Sequence, residues 1–141
     1  MNTVSLTTRR LAPVLASALL WTLALVLLQG VARADDFTVK TNTFAGVKAN
    51  TGFATITKSM DQATLTWSDD FTIPDAPAPH WQVVDTKGNV YLLQRLVAKN
   101  DRKNRTITIP AYVKDVAKVQ IWCAYAEVLL GEATLDKPVK L

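Results

Sequence analysis

Cysteine and histidine are scarce in this sequence, whose 141 residues include one of each, Cys123 and His80. With one cysteine the chain cannot form an internal disulfide, a C-x-x-C redox pair or a C-x-x-C-H haem attachment, all of which need two cysteines. A structural zinc site and a blue-copper centre are also excluded, because each needs more Cys and His ligands than the chain has. The stability of the fold must therefore come from apolar burial.

The N-terminus is organised like an export signal. Arg9-Arg10 precedes an uncharged apolar stretch of 18 residues, Leu11–Leu28, and Ala32-Arg33-Ala34 then supplies small residues at the two positions that a signal peptidase inspects. Cleavage after Ala34 predicts a signal peptide over 1–34 and an exported protein, periplasmic or extracellular, with no stable membrane span. The alternative is an uncleaved N-terminal membrane anchor, since 18 apolar residues are at the lower limit for crossing a bilayer.

The predicted mature chain of 107 residues is nearly neutral. Three of the 16 lysines and arginines lie in the leader, which has no acid, so 13 remain against 12 Asp and Glu. Nucleic-acid binding needs a basic face interleaved with aromatic residues. The one basic cluster that remains is Arg102-Lys103 with nearby Arg105, and the sequence predicts no nucleic-acid partner.

Sustained helical periodicity is missing too, and apolar residues instead recur at every second position, which is typical of half-buried strands. Seven such segments are predicted as strands, at 52–58, 63–67, 80–85, 89–97, 106–110, 118–125 and 127–135. Turn residues at 59–62 and 86–89 predict two hairpins. The pattern favours an all-β fold, a single small β-sandwich or barrel-like domain of about seven to eight antiparallel strands.

Composition divides the mature chain into a polar lead-in over 35–50, a β domain over 51–135 and a C-terminal tail over 136–141. The lead-in is expected to be a first strand or irregular, the tail to be frayed, and residues 111–117 to form one helical turn. Prolines 74, 77 and 79 exclude a central strand and predict an extended connection that crosses between sheets. Gly131 predicts a bulge in the last strand.

Cys123 is the candidate site residue. Strand alternation places it on one face with three apolar or aromatic neighbours, Val119, Ile121 and Tyr125, and this predicts a largely buried sulfur. Apolar burial raises the pKa of a thiol and makes it inert. The residues leave four roles open: core packing, a naked redox thiol, an intermolecular disulfide, or a thiolate ligand to a non-covalent haem whose other axial ligand is His80 or Met60.

Four other features of the sequence are candidate sites. His80 could form a nucleophilic pair with Cys123, although a half-exposed position at a strand start explains it equally well. The acids Asp69, Asp70 and Asp75 could bind calcium, but turn capping and solvation suffice. Asn104-Arg105-Thr106 matches an N-glycosylation sequon. The last feature is the set of mature tryptophans, which could stack on a ligand or pack in the core: Trp67, Trp81 and Trp122.

The C-terminal block has a recognisable order. A strand ends in Ile109-Pro110, V-x-I-W-C follows at 119–123, and the last strand closes with G-x-A-x-L at 131–135. Upstream lie a glycine-led strand from Gly52 and the stretch LTWSDDFTIPDAPAPHWQVVD at 65–85. This order resembles a DM13 domain over nearly all of the mature chain.

The resemblance implies an all-β fold and a part in electron transfer at the cell surface or outside the cell, as has been proposed for DM13 domains. The family's characteristic cysteine is thought to be a bare redox thiol or to hold a prosthetic group such as haem, and only Cys123 inherits that role. The chain has no second redox domain, so the implied partner is a separate redox protein. The alternative is a non-catalytic binding or interaction module of the cell envelope with a structural cysteine.

Overall fold

Eight β-strands and their connections account for residues 36–97 and 104–141, the ranges that a computed structural model of the chain describes. The predicted signal peptide lies outside these ranges. The strands are β1 (Phe37–Thr43), β2 (Phe53–Ser59), β3 (Gln62–Trp67), β4 (Pro79–Val84), β5 (Val90–Arg95), β6 (Thr106–Ile109), β7 (Asp115–Cys123) and β8 (Val128–Lys140). The all-β prediction is confirmed. No helix within 36–97 or 104–141 is long and apolar enough to cross a membrane.

The strands form one antiparallel sheet in the order β5-β4-β7-β8-β1-β2-β3-β6, which curves into a nearly closed barrel. Its two halves, β5-β4-β7-β8 and β1-β2-β3-β6, are joined by a single residue pair between β8 and β1, Thr41 opposite Leu135. The proline-rich connection leads from β3 in one half to β4 in the other, as predicted. Both predicted hairpins, β2–β3 and β4–β5, are present.

Alternating residues of each strand point into the barrel and form the core. Four aromatic side chains fill its centre, with ring centroids 5.2 to 6.4 Å apart: Phe44, Trp67, Phe71 and Trp81. The Trp81 indole N–H donates to the carbonyl of Asn104 at 3.1 Å, so the one polar atom of this buried ring is satisfied. Trp67 and Trp81 therefore belong to the core, as their packing interpretation predicts.

Two expectations about the C-terminal part of the domain are wrong. The tail is not frayed, because β8 continues to Lys140 and pairs with the first residues of β7 at Asp115 and Val116. The helical turn at 111–117 is replaced by a short turn and the start of β7. Both errors have one cause. β7 begins at Asp115, three residues before the strand predicted from the apolar pattern, and its first residues pair with the polar end of β8 and hold it in a strand. The lead-in contains β1, which confirms the first-strand alternative.

A segment over residues 44–52 crosses β8 at a bulge, on the side that faces the core. Gly131 lies opposite Ile121 while Leu129 lies opposite Trp122, so Leu130 is the extra residue, as predicted for this position. The carbonyl of Leu130 accepts hydrogen bonds from the N–H groups of Lys48 and Ala49, at 3.0 and 2.9 Å. This crossing brings Lys48 to the end of the barrel where β7 ends.

Candidate functional site

Cys123 is the last residue of β7 and lies between Pro79 of β4 and Val128 of β8. Its side chain points into the barrel and is only 1% exposed, which confirms the predicted burial. Tyr125 does not share this environment: its ring is 80% exposed, because the chain leaves the strand after Cys123 and turns over residues 124–127.

Nearby backbone N–H groups influence the pKa of the Cys123 thiol. The N–H of Ala126 does most to lower the pKa of the Cys123 thiol, burial acts in the opposite direction, and the N–H groups of Ala78 and Tyr125 lower the pKa further. The net pKa is below that of an ordinary thiol. This corrects the expectation from apolar neighbours alone, since amide dipoles directed at the sulfur outweigh the loss of solvation.

Two separate segments supply these amides. The turn after β7 folds back over the sulfur and is closed by Glu127 in a left-handed conformation, with φ of 52°. The proline-rich connection approaches from β4, and the Ala78 carbonyl accepts a hydrogen bond from the Ala124 N–H at 2.9 Å. Because prolines have no N–H, Ala78 is the one donor between Pro77 and Pro79.

Lys48 adds a positive charge near the sulfur and contributes a smaller lowering of the Cys123 pKa. Its ammonium group donates to the Asp75 carbonyl at 2.7 Å, which holds the side chain at this end of the barrel. The crossing segment fixes its main chain through the Leu130 carbonyl. A cation and three amides thus face a single buried sulfur.

His80 and Cys123 do not form a catalytic pair. His80 lies opposite Trp122 on the outer face of the sheet, whereas Cys123 lies opposite Pro79 on the inner face. Ring nitrogen Nδ1 of His80 is 2.8 Å from the Ala78 carbonyl and donates to it, so this histidine supports the connection that carries one of the amides.

Haem does not fit the residues at Cys123. A thiolate-bound haem needs open space at the sulfur and, in the predicted arrangement, a second ligand on the other side of the ring. The sulfur is buried, His80 lies on the opposite face of the sheet, and Met60 is 76% exposed in the β2–β3 turn of the other half of the barrel. The bare thiol is the form of the site that these positions support.

The acidic stretch before the prolines is held by local contacts. Asp69 forms an ion pair with Arg105 at 2.7 Å, and the Ser68 hydroxyl donates to Asp70. Across the two described ranges, no three His, Cys, Asp or Glu side chains are grouped so that they could hold a metal ion.

Asn104 has a structural position that the sequon did not reveal. It adopts a left-handed backbone with φ of 62°, and its amide nitrogen donates to the Arg95 carbonyl at 2.7 Å. Its own carbonyl accepts the Trp81 indole N–H.

Asp85 is a second residue whose role sequence reasoning missed. Burial alone would raise the pKa of its carboxyl group, but hydrogen bonds from Asn89, Tyr91 and Lys87 together lower the pKa. The donors lie 2.7 to 3.1 Å from the carboxylate oxygens and include both nitrogens of Asn89. The sequence at 85–89, D-T-K-G-N, could have predicted this role for Asp85, because an aspartate before a glycine-containing turn often accepts hydrogen bonds from the N–H groups of that turn.

A polar network crosses the outer face of β4, β7 and β8. Gln82 donates to Gln120 at 2.6 Å, Gln120 donates to Glu132 at 3.0 Å, and Lys118 pairs with Glu132 at 3.3 Å. Trp122 lies half-buried on the same face, opposite to Cys123, as strand alternation predicts.

Comparison with known proteins adds no relative: no family model, curated protein or solved structure matches the chain. The resemblance to DM13 domains stays a prediction that depends on the motifs quoted above.

Proposed function

We propose that the protein is an exported redox module whose reactive group is the Cys123 thiolate and whose partner is a separate redox protein. One observation carries the proposal: the N–H groups of Ala126, Ala78 and Tyr125 are directed at a lone buried sulfur and lower its pKa. The resemblance to DM13 domains points to the same residue.

The chemistry follows from the anion. At the ordinary thiol pKa about 3% of a cysteine is thiolate at neutral pH, and a lowered pKa increases that fraction. The thiolate attacks one sulfur of a partner's disulfide, a bond forms between the two sulfurs, and the partner's second sulfur leaves as a thiolate with the electron pair. The thiolate of a second, separate thiol compound then attacks the partner's sulfur in the mixed disulfide. Cys123 leaves with the electron pair, stabilised by the amides, and the partner keeps one free thiolate and one disulfide to the second thiol.

Burial restricts the reaction to conformations in which the 124–127 turn lifts from the sulfur. Two residues of that turn, Tyr125 and Ala126, have exposed side chains, so main chain alone covers the thiol on this side. A small or extended disulfide substrate requires a smaller opening than a bulky one. Because Cys123 is buried, we expect its thiol to react slowly. The maximum rate at high pH is then set by how often the 124–127 turn opens, and the pH midpoint of the reaction is set by the pKa of Cys123.

The test is the rate of Cys123 alkylation by iodoacetamide between pH 5 and 10 in the native protein. We expect a midpoint below that of a model thiol, and a matching pH dependence for attack on the disulfide reagent DTNB. Ala78→Pro deletes one amide donor and should move the midpoint to higher pH and slow the reaction severalfold at pH 7. Ala76→Pro is the matched control, because it stiffens the same connection without removing a donor to the sulfur.

The second candidate function is a non-catalytic binding module, which the 1% exposure of Cys123 favours. In that case the native thiol reacts with neither reagent until the protein is unfolded, and Ala78→Pro and Ala76→Pro behave alike. That outcome would reject the redox proposal.

A further inference from the structure

A pocket of about 480 Å³ lies between the proline-rich connection and the residues at the end of β5. Most of its lining is aliphatic or proline side chain. Ile73 and Leu96 are only 7% and 1% exposed, and Pro74 and Pro79 are also buried, so the lining reaches the edge of the core. Sites for small molecules are mostly apolar concavities of roughly this size.

The walls of the pocket are held in place by the fold. The Leu96 N–H donates to the Pro79 carbonyl at 2.8 Å, and the Arg95 guanidinium group donates to the Pro77 carbonyl. Proline rings at 74, 77 and 79 fix the backbone φ angle at three positions of the connection. Because the pocket is pre-formed in this way, a ligand loses little of its binding free energy to ordering the protein.

Two opposite charges stand among these apolar groups. Asp75 and Arg95 line the pocket, and both residues are exposed, which places their charged groups toward solvent. Within 36–97 and 104–141 the Asp75 carboxylate has no hydrogen bond or ion pair, and the Arg95 guanidinium group bonds only to the Pro77 carbonyl. Lys48 does not pair with the Asp75 carboxylate, because its ammonium group donates to the main-chain carbonyl of that residue.

We propose that this pocket binds a free α-amino acid with an aliphatic side chain. The guanidinium group of Arg95 keeps N–H donors for the ligand's carboxylate, and the Asp75 carboxylate accepts from its ammonium group. The aliphatic side chain packs against Ile73 and Leu96. A ligand with only one of the two charges would leave either Asp75 or Arg95 without a partner, so the zwitterion is the form that the pocket complements.

Binding should be weak and selective. The ligand buries one short side chain, and its two ion pairs lie at a solvent-exposed rim where such pairs contribute little. We therefore expect a dissociation constant of about 0.1–5 mM for L-leucine at pH 7. Selectivity comes from the pair of charges. 4-Methylpentanoate is leucine without the ammonium group and isoamylamine is leucine without the carboxylate, and each should bind about three- to tenfold more weakly than leucine.

Titration of the ¹⁵N-labelled protein with the three compounds, followed by amide NMR shifts, measures the affinities and locates the site. Leucine should move the amides of Ala76, Leu96 and Val97 in a saturable manner. No saturable shift up to about 20 mM leucine would overturn the proposal. Shifts centred elsewhere on the barrel, or equal affinities for leucine and its two analogues, would overturn it as well.

Two charge variants test the assigned roles. Asp75→Asn should weaken leucine binding about three- to tenfold without weakening 4-methylpentanoate, and Arg95→Gln should weaken leucine similarly without weakening isoamylamine. Lys87→Gln is the control, since it removes a cation from the exposed turn at the other end of the β4–β5 hairpin and should bind leucine as wild type does.

The amide spectrum of each variant also shows whether it folds, because changes confined to the pocket leave the shifts of the remaining strands in place. Leucine binding that is equal in wild type, Asp75→Asn and Arg95→Gln would reject the site. None of these measurements involves the Cys123 thiol, so the outcome is independent of the redox proposal.

Discussion

Replacing Gly131 by alanine should destabilise the barrel, although the backbone at this position does not require glycine. Its φ is not among the positive values, which among the glycines are those of Gly52 and Gly88. The obstacle is space: a β-carbon at residue 131 would lie 2.1 Å from the Ala49 carbonyl oxygen. Ordinary contact begins near 3.4 Å, so the crossing segment would have to move by more than 1 Å.

The energetic cost follows from what holds that segment. Its nearest bonds to β8 are the two N–H donations to the Leu130 carbonyl, and a displacement of this size weakens both. Each bond contributes about 1 kcal/mol, and overpacking at a fixed backbone costs about 1–3 kcal/mol. We expect a loss of about 2–4 kcal/mol in the free energy of unfolding, which corresponds to a fall of roughly 10–20 °C in Tm for a domain of this size.

Urea unfolding followed by tryptophan fluorescence measures this difference, because Trp67 and Trp81 are in the core. Gly88→Ala is the control: its φ is +84° and no atom lies within 4 Å of the added carbon, so it reports backbone strain without collision, about 1 kcal/mol. Adding Ala49→Gly to Gly131→Ala should not restore stability, since the blocking atom is a main-chain oxygen. A stability within 0.5 kcal/mol of wild type, or rescue by Ala49→Gly, would refute the steric argument.

Two further variants probe charge. Asp85→Asn should be less stable than wild type at pH 7. The difference should begin to shrink below about pH 4 and be smaller at pH 3, because the folded-state pKa of Asp85 is lowered: its contribution is present above the unfolded pKa of about 3.9 and is lost as the pH falls through the folded value. Urea midpoints at pH 7 and pH 3 test this, and an equal difference at both would contradict it. Lys48→Met should move the midpoint of Cys123 alkylation to higher pH by less than Ala78→Pro does, because the ammonium group is the weaker influence; a larger shift than that of Ala78→Pro would reverse the order of causes.

The local pattern of the chain was sufficient to predict most of the strands. Alternation in residues 52–58 and 63–67 anticipates β2 and β3, and Gly88 anticipates the β4–β5 turn, because side-chain period and turn chemistry act between near neighbours. Alternation also placed Cys123 inward and Trp122 outward. The polar end of β8 escaped prediction, since its strand state depends on pairing with the start of β7.

By itself the sequence determined the all-β class, the two hairpins and the burial of the lone cysteine, because each depends on residues close together in the chain. The chemical state of the sulfur depends on the folded backbone: the strongest influence is the Ala126 N–H in the turn after β7, and distant segments add weaker ones. Ala78 lies 45 positions before Cys123 and Lys48 lies 75 before it, and the proline-rich connection and the Gly131 crossing bring both to one end of the barrel. Electrostatic influence on a thiol falls off with distance in space, so chain neighbours alone predicted a raised pKa where the folded protein lowers it.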